Sequence, residues 1–362
     1  MKKFEKYMKK CLKLAQKGDG KTSPNPLVGC VVLDKNGKEI SSGYHKKYGS
    51  LHAEADALSK LKDNQIKGST LIVNLEPCVH FGKTPPCADL IIEKGVKTLV
   101  VAMKDPNPVV SGKGIEKCKK AGINVLEGIL EEEARQLNEV FIKNMEKRAI
   151  FVATKIASTL DGKIAAQNGK SKWITGEYAR EEVQKIRNRY DAILTTSATV
   201  IKDNPSLTCR IKNGKNPIRI VLDKDLKTDF KSKIYENNCE KIYVAVDKNT
   251  DKTRLSTVPA HVEIIKCPLK ASKIDLNFLF KKLFEKEIRS ILIEAGGNLN
   301  GELIFQDLAD KIYLFMAPKI MNDKNAINSF YGEKTFKIDN LARFKISKID
   351  KIAEDVLFIL NK

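Results

Sequence analysis

Two cysteines, Cys78 and Cys87, stand with eight residues between them in the stretch NLEPCVHFGKTPPCADLII (74–92). A disulfide, a metal site and chance composition are three explanations for such a pair. The upstream stretch HAEADAL contains His52 and Glu54 at the start of a predicted helix. Residues two apart on a helix do not share a face, so one can bind a metal while the other points towards a substrate. One histidine, two cysteines and an H-x-E glutamate are typical of a hydrolytic zinc site, and we predict zinc here.

Both cysteines are placed where zinc ligands are expected. Cys78 follows a predicted strand through a proline, and Cys87 opens a predicted helix, where the helix dipole stabilises a thiolate. Three protein ligands leave the fourth tetrahedral position for water, whose pKa falls from ~15.7 to about 7 on zinc. Glu54 would take the proton of that water and pass it to a departing amine.

The spacing of the cysteines departs from the usual signature. That signature contains C-x-x-C, whereas VHFGKTPP separates the two cysteines here. Chance is the alternative, although H-x-E, then P-C, then a helix-opening cysteine favours zinc. His80 competes with His52 as a ligand. Because His80 has no glutamate partner, we place it beside the substrate instead.

A layered α/β framework is predicted to position these residues. The first half has an opening helix, a hairpin with an Asn36-Gly37 turn, and then helices and strands in alternation, with a final helix over EEEARQLNEVFIKNMEKR. At about residue 147 that helix ends, and the strand AIFVATKIAST begins a second cycle. Its further strands are IRIVLD, KIYVAV, SILIEAG and DKIYLFMAP, its helices lie near 177–189, 276–287 and 300–308, and FKISKIDKIAEDVLFIL is a closing antiparallel hairpin.

Length and composition indicate two folded domains of a cytoplasmic protein. The 362 residues exceed one typical core, and 42% apolar with 30% charged residues is ordinary for a globular chain. The basic opening segment has its apolar residues at helical spacing, unlike a signal peptide, and no apolar run approaches the ~20 residues that span a bilayer. The eight cysteines are expected to stay reduced or to bind metal.

The net charge of +20 leaves two kinds of partner open. Basic surfaces attract nucleic acids without any sequence code. However, the lysines are spread along the whole chain, without a basic tail or interleaved aromatic residues. Phosphorylated small substrates are the other partner that such a charge favours, and a lysine-rich composition alone is the simplest explanation.

Eight motifs, including the two stretches above, carry a resemblance to a known family. The stretches SPNPLVG (23–29), HAEADAL, LEPCVHFGKTPPCADLI and DPNPVVSGKGI (105–115) resemble the deaminase half of the bifunctional riboflavin-biosynthesis deaminase/reductase, which also has the insertion between the cysteines. KIASTLDGKIA, SKWITGEYAR, DAILTTSATVIKDNPSLTCR and IEAGGNLNGELI resemble its reductase half, in the same order. The resemblance implies an α/β chain with a cytidine-deaminase-like three-layer domain (1–147) and a dihydrofolate-reductase-like α/β domain (148–362).

The resemblance implies that the first domain removes the 2-amino group of a diaminopyrimidinone ribosylamine phosphate. It makes His52, Cys78 and Cys87 the zinc ligands and Glu54 the proton shuttle. The pocket positions that it implies are Asn25, His80, Lys83, Asp105 and Asn107. Asn25 stands between two prolines, which would preorganise its amide, although a turn asparagine is an equal explanation. Lys83 suits a phosphate, against the ordinary alternative of a solvated lysine.

The second domain would then reduce the ribosyl chain of the product to ribityl with NADPH. LIEAGGNLNGEL reads as a strand, a glycine turn and a helix, which can receive a phosphate at the helix N-terminus without the G-x-G-x-x-G of a Rossmann domain. The NADP contacts implied by the resemblance are Ala157, Trp173, Thr199, Asp203, Gly296, Gly297 and Gly301. The implied substrate contacts are Ser171, Arg187, Leu207, Arg210 and Glu294.

Two residues, Lys155 and Asp203, are candidates for protonating the reduced carbonyl, and the sequence does not choose between them. DNP stands where many relatives have two aspartates, so only Asp203 can carry a carboxylate role there. Arg187 and Arg210 suit a phosphate because a guanidinium binds it bidentately and stays charged. A surface arginine is the ordinary alternative.

Two other functions stay open. A nucleic-acid editing zinc deaminase with an accessory domain would use the same metal motif, but it leaves residues 148–362 unexplained. A non-catalytic zinc-binding module would not need Glu54 and would need a fourth protein ligand. We predict a phosphorylated pyrimidine as the partner, no nucleic acid and no membrane. The hydrophobic edges of the second domain predict a homodimer or a higher homo-oligomer.

Overall fold

Helices and strands alternate through both halves of the chain. The computed structural model describes residues 2–79, 85–108, 110–238, 241–332 and 335–362. These form two compact units, Met1–Ala149 and Ile150–Lys362. Within the described ranges, no helix combines the length and the apolar character that crossing a bilayer requires.

The first unit is a five-stranded sheet with helices packed around it. Its elements are α1 (Lys2–Ala15), β1 (Gly29–Leu33), β2 (Glu39–Tyr44), α2 (Ala53–Leu58), α3 (Asp63–Ile66), β3 (Thr70–Leu75), α4 (Cys87–Glu93), β4 (Thr98–Met103), α5 (Lys113–Lys120), β5 (Asn124–Glu127), α6 (Glu131–Leu137) and α7 (Glu139–Lys147). The strand order is β2-β1-β3-β4-β5. β1 runs antiparallel to β2 and β3, whereas β3, β4 and β5 are parallel. α1 contacts α6, while α2 contacts α4 and α4 contacts α5, which gives the predicted three-layer arrangement.

The central strands of this sheet are apolar almost throughout. All of β1 is buried, and β3 and β4 are buried after their first residue. Strands covered by helices on both faces read as continuous apolar runs, as these do. At its carboxyl end β3 leaves this core, and the chain continues directly into the first cysteine of the predicted metal site.

The helix predicted over EEEARQLNEVFIKNMEKR is two helices, α6 and α7, that meet at Asn138. The side chain of Asn138 binds the backbone of Leu27 at both ends of its amide: its Oδ1 accepts from the Leu27 N–H at 2.8 Å, and its Nδ2 donates to the Leu27 carbonyl at 3.0 Å. Asn138 itself is buried. The expectation of one helix was wrong because its periodicity does not reveal a partner 111 residues away.

The second unit contains a nine-stranded sheet. Its elements are β6 (Phe151–Thr159), β7 (Lys163–Ala165), α8 (Glu177–Arg189), β8 (Ala192–Thr196), α9 (Ser197–Asp203), β9 (Ile218–Leu222), β10 (Ile242–Asp247), α10 (Lys252–Leu255), β11 (Val262–Cys267), β12 (Leu269–Lys270), β13 (Lys273–Ile274), α11 (Leu276–Glu285), β14 (Ser290–Ile293), α12 (Gly297–Phe305), β15 (Lys311–Ala317), β16 (Ile327–Asn328), β17 (Lys345–Ile352) and β18 (Asp355–Asn361). The helix expected near 300–308 therefore starts earlier, directly after the glycine turn.

Most of this large sheet is parallel. Its order is β11-β10-β9-β8-β14-β6-β15-β18-β17. The strands from β11 to β15 are parallel, and β18 and β17 close the sheet as the predicted antiparallel hairpin. Ligands of open α/β sheets bind beyond the carboxyl ends of the strands. Of the predicted reductase residues, Thr199 and Asp203 follow β8, and Glu294, Gly296 and Gly297 follow β14, at those ends.

Candidate active sites

His52, Cys78 and Cys87 come together in the first unit. His52 caps α2, Cys78 follows β3, and Cys87 is the first residue of α4. The His52 Nδ1 lies 3.4 Å from each sulfur, and the three ligand atoms lie within 4.8 Å of one another. Zn–S and Zn–N bonds of ~2.3 and ~2.05 Å at a tetrahedral angle predict an N···S distance of about 3.6 Å. The three side chains therefore fit one zinc ion.

The charges of these ligands also suit a metal. Both thiols are free, so the disulfide explanation is wrong. The hydrogen bond from the Cys87 thiol, with help from His52 and the Cys87 backbone N–H, lowers the pKa of Cys78 to about 4. The hydrogen bond to Cys78 raises the pKa of both His52 and Cys87, so zinc must displace a proton from each when it binds. A ready thiolate next to an imidazole is the donor set that zinc prefers.

Glu54 lies in the first turn of α2, with 3% of its surface exposed. Burial raises the pKa of Glu54 to about 7, and the neighbouring Cys78 adds to that rise. A carboxyl group with a pKa near neutrality can both accept and release a proton at cellular pH. Glu54 therefore has an environment suited to a general base and acid, and its catalytic role stays a prediction.

A residue that the sequence did not suggest, His45, holds Asn25. The buried His45 ring approaches the Leu51 carbonyl through Nδ1 at 3.0 Å and the Asn25 Nδ2 through Nε2 at 3.2 Å. Because a carbonyl only accepts, Nδ1 donates, and Nε2 accepts from the amide. Burial lowers the pKa of His45, which favours this neutral form. The His45 ring also packs edge-on against the ring of His52, 5.7 Å between centroids, so it links Asn25 to the metal ligands.

Asp105 and Asn107 lie in the loop that follows β4. Asp105 is buried, and its Oδ1 accepts the backbone N–H of Asn107 at 2.8 Å. This bond fixes the turn in which both predicted pocket residues stand. The other two predicted pocket residues of this unit, His80 and Lys83, fall outside the described residues.

The second unit has a cavity of about 1010 Å³ at the carboxyl ends of its strands. A volume of this size is ample for a dinucleotide together with a small substrate. The cavity brings together the predicted reductase residues Lys155, Ala157, Ser171, Trp173, Arg187, Thr199, Asp203, Leu207, Arg210, Glu294, Gly296 and Gly297. Gly301 is not among its lining residues.

Glu294 forms a charged cluster with Arg187 and Lys155 at the cavity wall. Arg187 donates to both Glu294 oxygens, from Nε at 2.6 Å and from Nη2 at 3.0 Å, and its Nη1 donates to the Thr208 carbonyl at 2.9 Å. The Lys155 Nζ lies 3.1 Å from the Glu294 Oε2. Burial alone would raise the pKa of Glu294, but Arg187 and Lys155 outweigh it and lower that pKa to about 2. The Arg187 fork is thus bound to a carboxylate that stays ionised.

Arg210 and Asp203 have different surroundings from this cluster, because both are exposed. Asp203 is the last residue of α9, a helix whose N-terminus is capped by Thr196. With the fork of Arg187 engaged, Arg210 is the better placed of the two predicted arginines for a substrate phosphate. The sequence could not separate them, because Arg187 and Glu294 are 107 residues apart in the chain.

Trp173 stands at the cavity with 65% of its surface exposed. The guanidinium of Arg180 lies 4.3 Å from the centroid of its ring. Lys319 Nζ donates to the carbonyls of Trp173 and Ile174 at 3.3 and 2.7 Å, which fixes the loop that carries the ring. An exposed aromatic ring on a tethered loop fits the predicted contact with NADP.

The three glycines of the turn before and within α12 have different surroundings. A Cβ at Gly296 would meet nothing within 4 Å among the described residues, so a ligand can approach the backbone closely there. A Cβ at Gly297 would lie 2.1 Å from the Asn328 carbonyl oxygen, and one at Gly301 would lie 2.2 Å from that of Tyr331. Gly301 therefore allows α12 to pack against the chain at 328–331, and the cavity gives no support to its predicted NADP contact.

Gly301→Ala is expected to lower the stability of the second unit by about 1–3 kcal/mol, since a backbone oxygen blocks the added carbon and the surroundings must shift. The affinity for NADPH should change little. Gly296→Ala is the matched control. It should keep the parental melting temperature while lowering the affinity for NADPH. Calorimetry and an NADPH titration of both variants check this, and a normal melting temperature for Gly301→Ala would contradict it.

Comparisons with known proteins match both units. Residues 1–103 match the family model described as the cytidine and deoxycytidylate deaminase zinc-binding region, and residues 150–358 match that of the RibD C-terminal domain. The riboflavin biosynthesis protein RibD of Aquifex aeolicus is 40% identical, over 98% of this chain and 98% of its own. The chain belongs to the RibD family. The RibD of Actinobacillus pleuropneumoniae is also 40% identical, over 97% of this chain and 93% of its own.

Solved RibD structures have the same fold over nearly the whole chain. A Thermotoga maritima protein is 40% identical, with a TM-score of 0.88 over 99% of both chains. It is described as a diaminohydroxyphosphoribosylaminopyrimidine deaminase/5-amino-6-(5-phosphoribosylamino)uracil reductase. RibD of Acinetobacter baumannii is 34% identical, with the same TM-score of 0.88 and 99% coverage of both chains.

RibD membership confirms the family resemblance and both predicted fold types. The chain is a bifunctional deaminase and reductase of riboflavin biosynthesis, and its cofactors are zinc and NADPH. A nucleic-acid editing deaminase left the second half unexplained, whereas the RibD C-terminal match explains residues 150–358.

Proposed function

We propose that the first unit hydrolyses the 2-amino group of 2,5-diamino-6-(ribosylamino)-4(3H)-pyrimidinone 5′-phosphate. The second unit then reduces the ribosyl chain of the product to ribityl with NADPH. The observation that carries the proposal is the buried carboxyl of Glu54 beside the zinc-ligand triad. The activities named for the Thermotoga maritima relative support both reactions.

In deamination, His52, Cys78 and Cys87 would hold the zinc, which would supply a water activated for attack on the ring carbon that bears the amino group. Glu54 takes a proton from the attacking water and delivers it to the amino nitrogen, which leaves as ammonia. Burial raises the pKa of Glu54 in the metal-free site, and the charge of bound zinc would act in the opposite direction. Asn25, oriented by His45 through its Nδ2, keeps its amide oxygen available for the ring edge.

In reduction, NADPH supplies the hydride. The hydride goes to the ribosyl C1′, whose bond to the ring oxygen breaks, and Lys155 is the better candidate for protonating that oxygen, because it lines the cavity and its side chain is only 18% exposed. Glu294 holds that ammonium in place, whereas Asp203 is exposed. Arg210 binds the substrate phosphate. The Trp173 and Gly296 surfaces receive the dinucleotide.

Product analysis tests the whole proposal. The purified chain is incubated with the diaminopyrimidine phosphate, with and without NADPH, and the products are identified by mass. Without NADPH the deaminated ribosyl compound should accumulate, and with NADPH the ribityl compound should form. A chelator that removes zinc should stop both products from this substrate, whereas reduction of supplied deaminated compound should continue. Full deamination after rigorous zinc removal would overturn the proposal.

A homodimer through the last sheet edge is part of this proposal. β17 ends the strand order, and its Ile346 and Ile349 are 58% and 57% exposed. An edge strand with exposed apolar side chains favours pairing with another copy. Lysine at both positions is expected to give a monomer in light scattering, while Tyr178→Lys, at another exposed residue, should stay dimeric. A monomeric parent chain would contradict this.

A cytoplasmic location stays a prediction.

A further inference from the structure

Glu76 is a buried carboxylate to which the chemistry above gives no role. Only 3% of its surface is exposed. It follows the last residue of β3 and stands two residues before Cys78, a zinc ligand. A buried carboxylate is costly unless hydrogen bonds compensate the lost water, so its partners show what it is used for.

Both oxygens of Glu76 accept backbone N–H groups from one later segment. Oε2 accepts from Asp105 at 3.0 Å and from Gly112 at 2.9 Å. Oε1 accepts from Gly114 at 2.8 Å and from Ile115 at 3.2 Å. Hydrogen bonds to an ionised acceptor are about twice as strong as neutral ones. The carboxylate therefore holds the two ends of the loop between β4 and α5 close together.

The same loop lies in direct contact with the chain next to the metal. A Cβ at Gly114 would lie only 2.1 Å from the carbonyl oxygen of Pro77, the residue between Glu76 and Cys78. The backbone N–H of Glu76 also donates to the Met103 carbonyl at 3.0 Å, at the end of β4. The loop is thus held against the zinc-ligand segment at its beginning, at its end and at the first turn of α5.

We propose that Glu76 is a positioning residue for deamination, which sets the loop carrying Asp105 and Asn107 in register with the zinc ligand Cys78. The inference rests on the proposed function, in which that loop contacts the pyrimidine substrate. It separates two tasks in the first unit: Glu54 moves protons, and Glu76 fixes where the substrate lies relative to the metal. A merely structural Glu76 would affect folding and zinc content without a selective effect on substrate affinity.

Glu76→Gln tests the proposal with little change of shape. The amide nitrogen replaces an acceptor by a donor that faces backbone N–H groups, so the loop must move. The KM for the diaminopyrimidine phosphate should rise about tenfold or more, with kcat changed less than about threefold, since Glu54 and His52 stand on another element. Zinc content and NADPH-dependent reduction should match the parent chain. Glu116→Gln, an exposed glutamate on α5, is the control and should change none of these values.

Further variants decide the remaining outcomes. If Glu76→Gln does not fold, Glu76→Asp keeps the charge on a shorter side chain, and a raised KM with full zinc supports the proposal. A parental KM in a folded, zinc-loaded Glu76 variant overturns the proposal. A joint decrease of zinc content, kcat and stability at an unchanged KM overturns it as well. Asn107→Ala tests the premise that the loop contacts the substrate. A parental KM in this variant would contradict that contact and the inference that rests on it. A raised KM in Asn107→Ala alone overturns the inference while sparing the proposed function.

Discussion

Glutamine at position 54 is expected to abolish deamination while zinc stays bound. Glu54 is not one of the zinc ligands, so Glu54→Gln leaves His52, Cys78 and Cys87 unchanged. The amide cannot take the proton of the attacking water, and the rate should fall by about 10³-fold. The variant is assayed for zinc by metal analysis and for ammonia release from the diaminopyrimidine phosphate.

The reductase activity of the same Glu54→Gln sample is its internal control. NADPH oxidation with the deaminated substrate supplied should continue at the parental rate. Loss of both activities in a folded variant would mean that the two-site division is wrong. Retention of deamination would remove Glu54 from the chemistry.

The second large effect is expected at Lys155. Lys155→Met keeps the length of the side chain but removes the ammonium that lies 3.1 Å from Glu294. Reduction should slow by about 10²-fold or more, since no charged donor remains for the ring oxygen that is released from C1′. Arg187 still pairs with Glu294, so the fold should survive. Single-turnover NADPH oxidation measures the effect, and deamination should be unchanged.

Asp203→Asn is the competing variant for that step. Because Asp203 is exposed, its substitution should alter reduction only slightly. An Asp203→Asn variant without reductase activity but with intact NADPH affinity, together with an active Lys155→Met variant, would assign the proton donor to Asp203 instead of Lys155. Equal losses in both variants would mean that neither acts alone.

The sequence predicted the metal site because its signals are local. H-x-E, a cysteine after a strand and a cysteine that opens a helix each identify a residue by its neighbours, and the structure brings His52, Cys78 and Cys87 together. His45 gave no such signal, since a histidine after a strand has no spacing to mark it. Its role depends on Leu51 and Asn25 meeting its two ring nitrogens.

Pairings between distant residues limited the prediction for the second unit. All but one of the predicted reductase residues line the cavity, but the motifs could not show that Arg187 is bound to Glu294. Likewise, Gly301 stands in a motif typical of phosphate binding, whereas its lack of a side chain is required by the backbone of Tyr331. Asn138 divides a helix through Leu27, far away in the sequence. Such contacts are set by tertiary packing, which local patterns do not encode.

The exposed ring at the reductase cavity gives this chain a built-in optical reporter. Trp173 is the single tryptophan of the sequence, so the indole emission of the whole protein arises beside the dinucleotide site. The reduced nicotinamide ring absorbs where indole emits, and quenching can therefore follow NADPH occupancy without a label. Because the sequence of the first unit contains no tryptophan, this signal originates in the second unit alone.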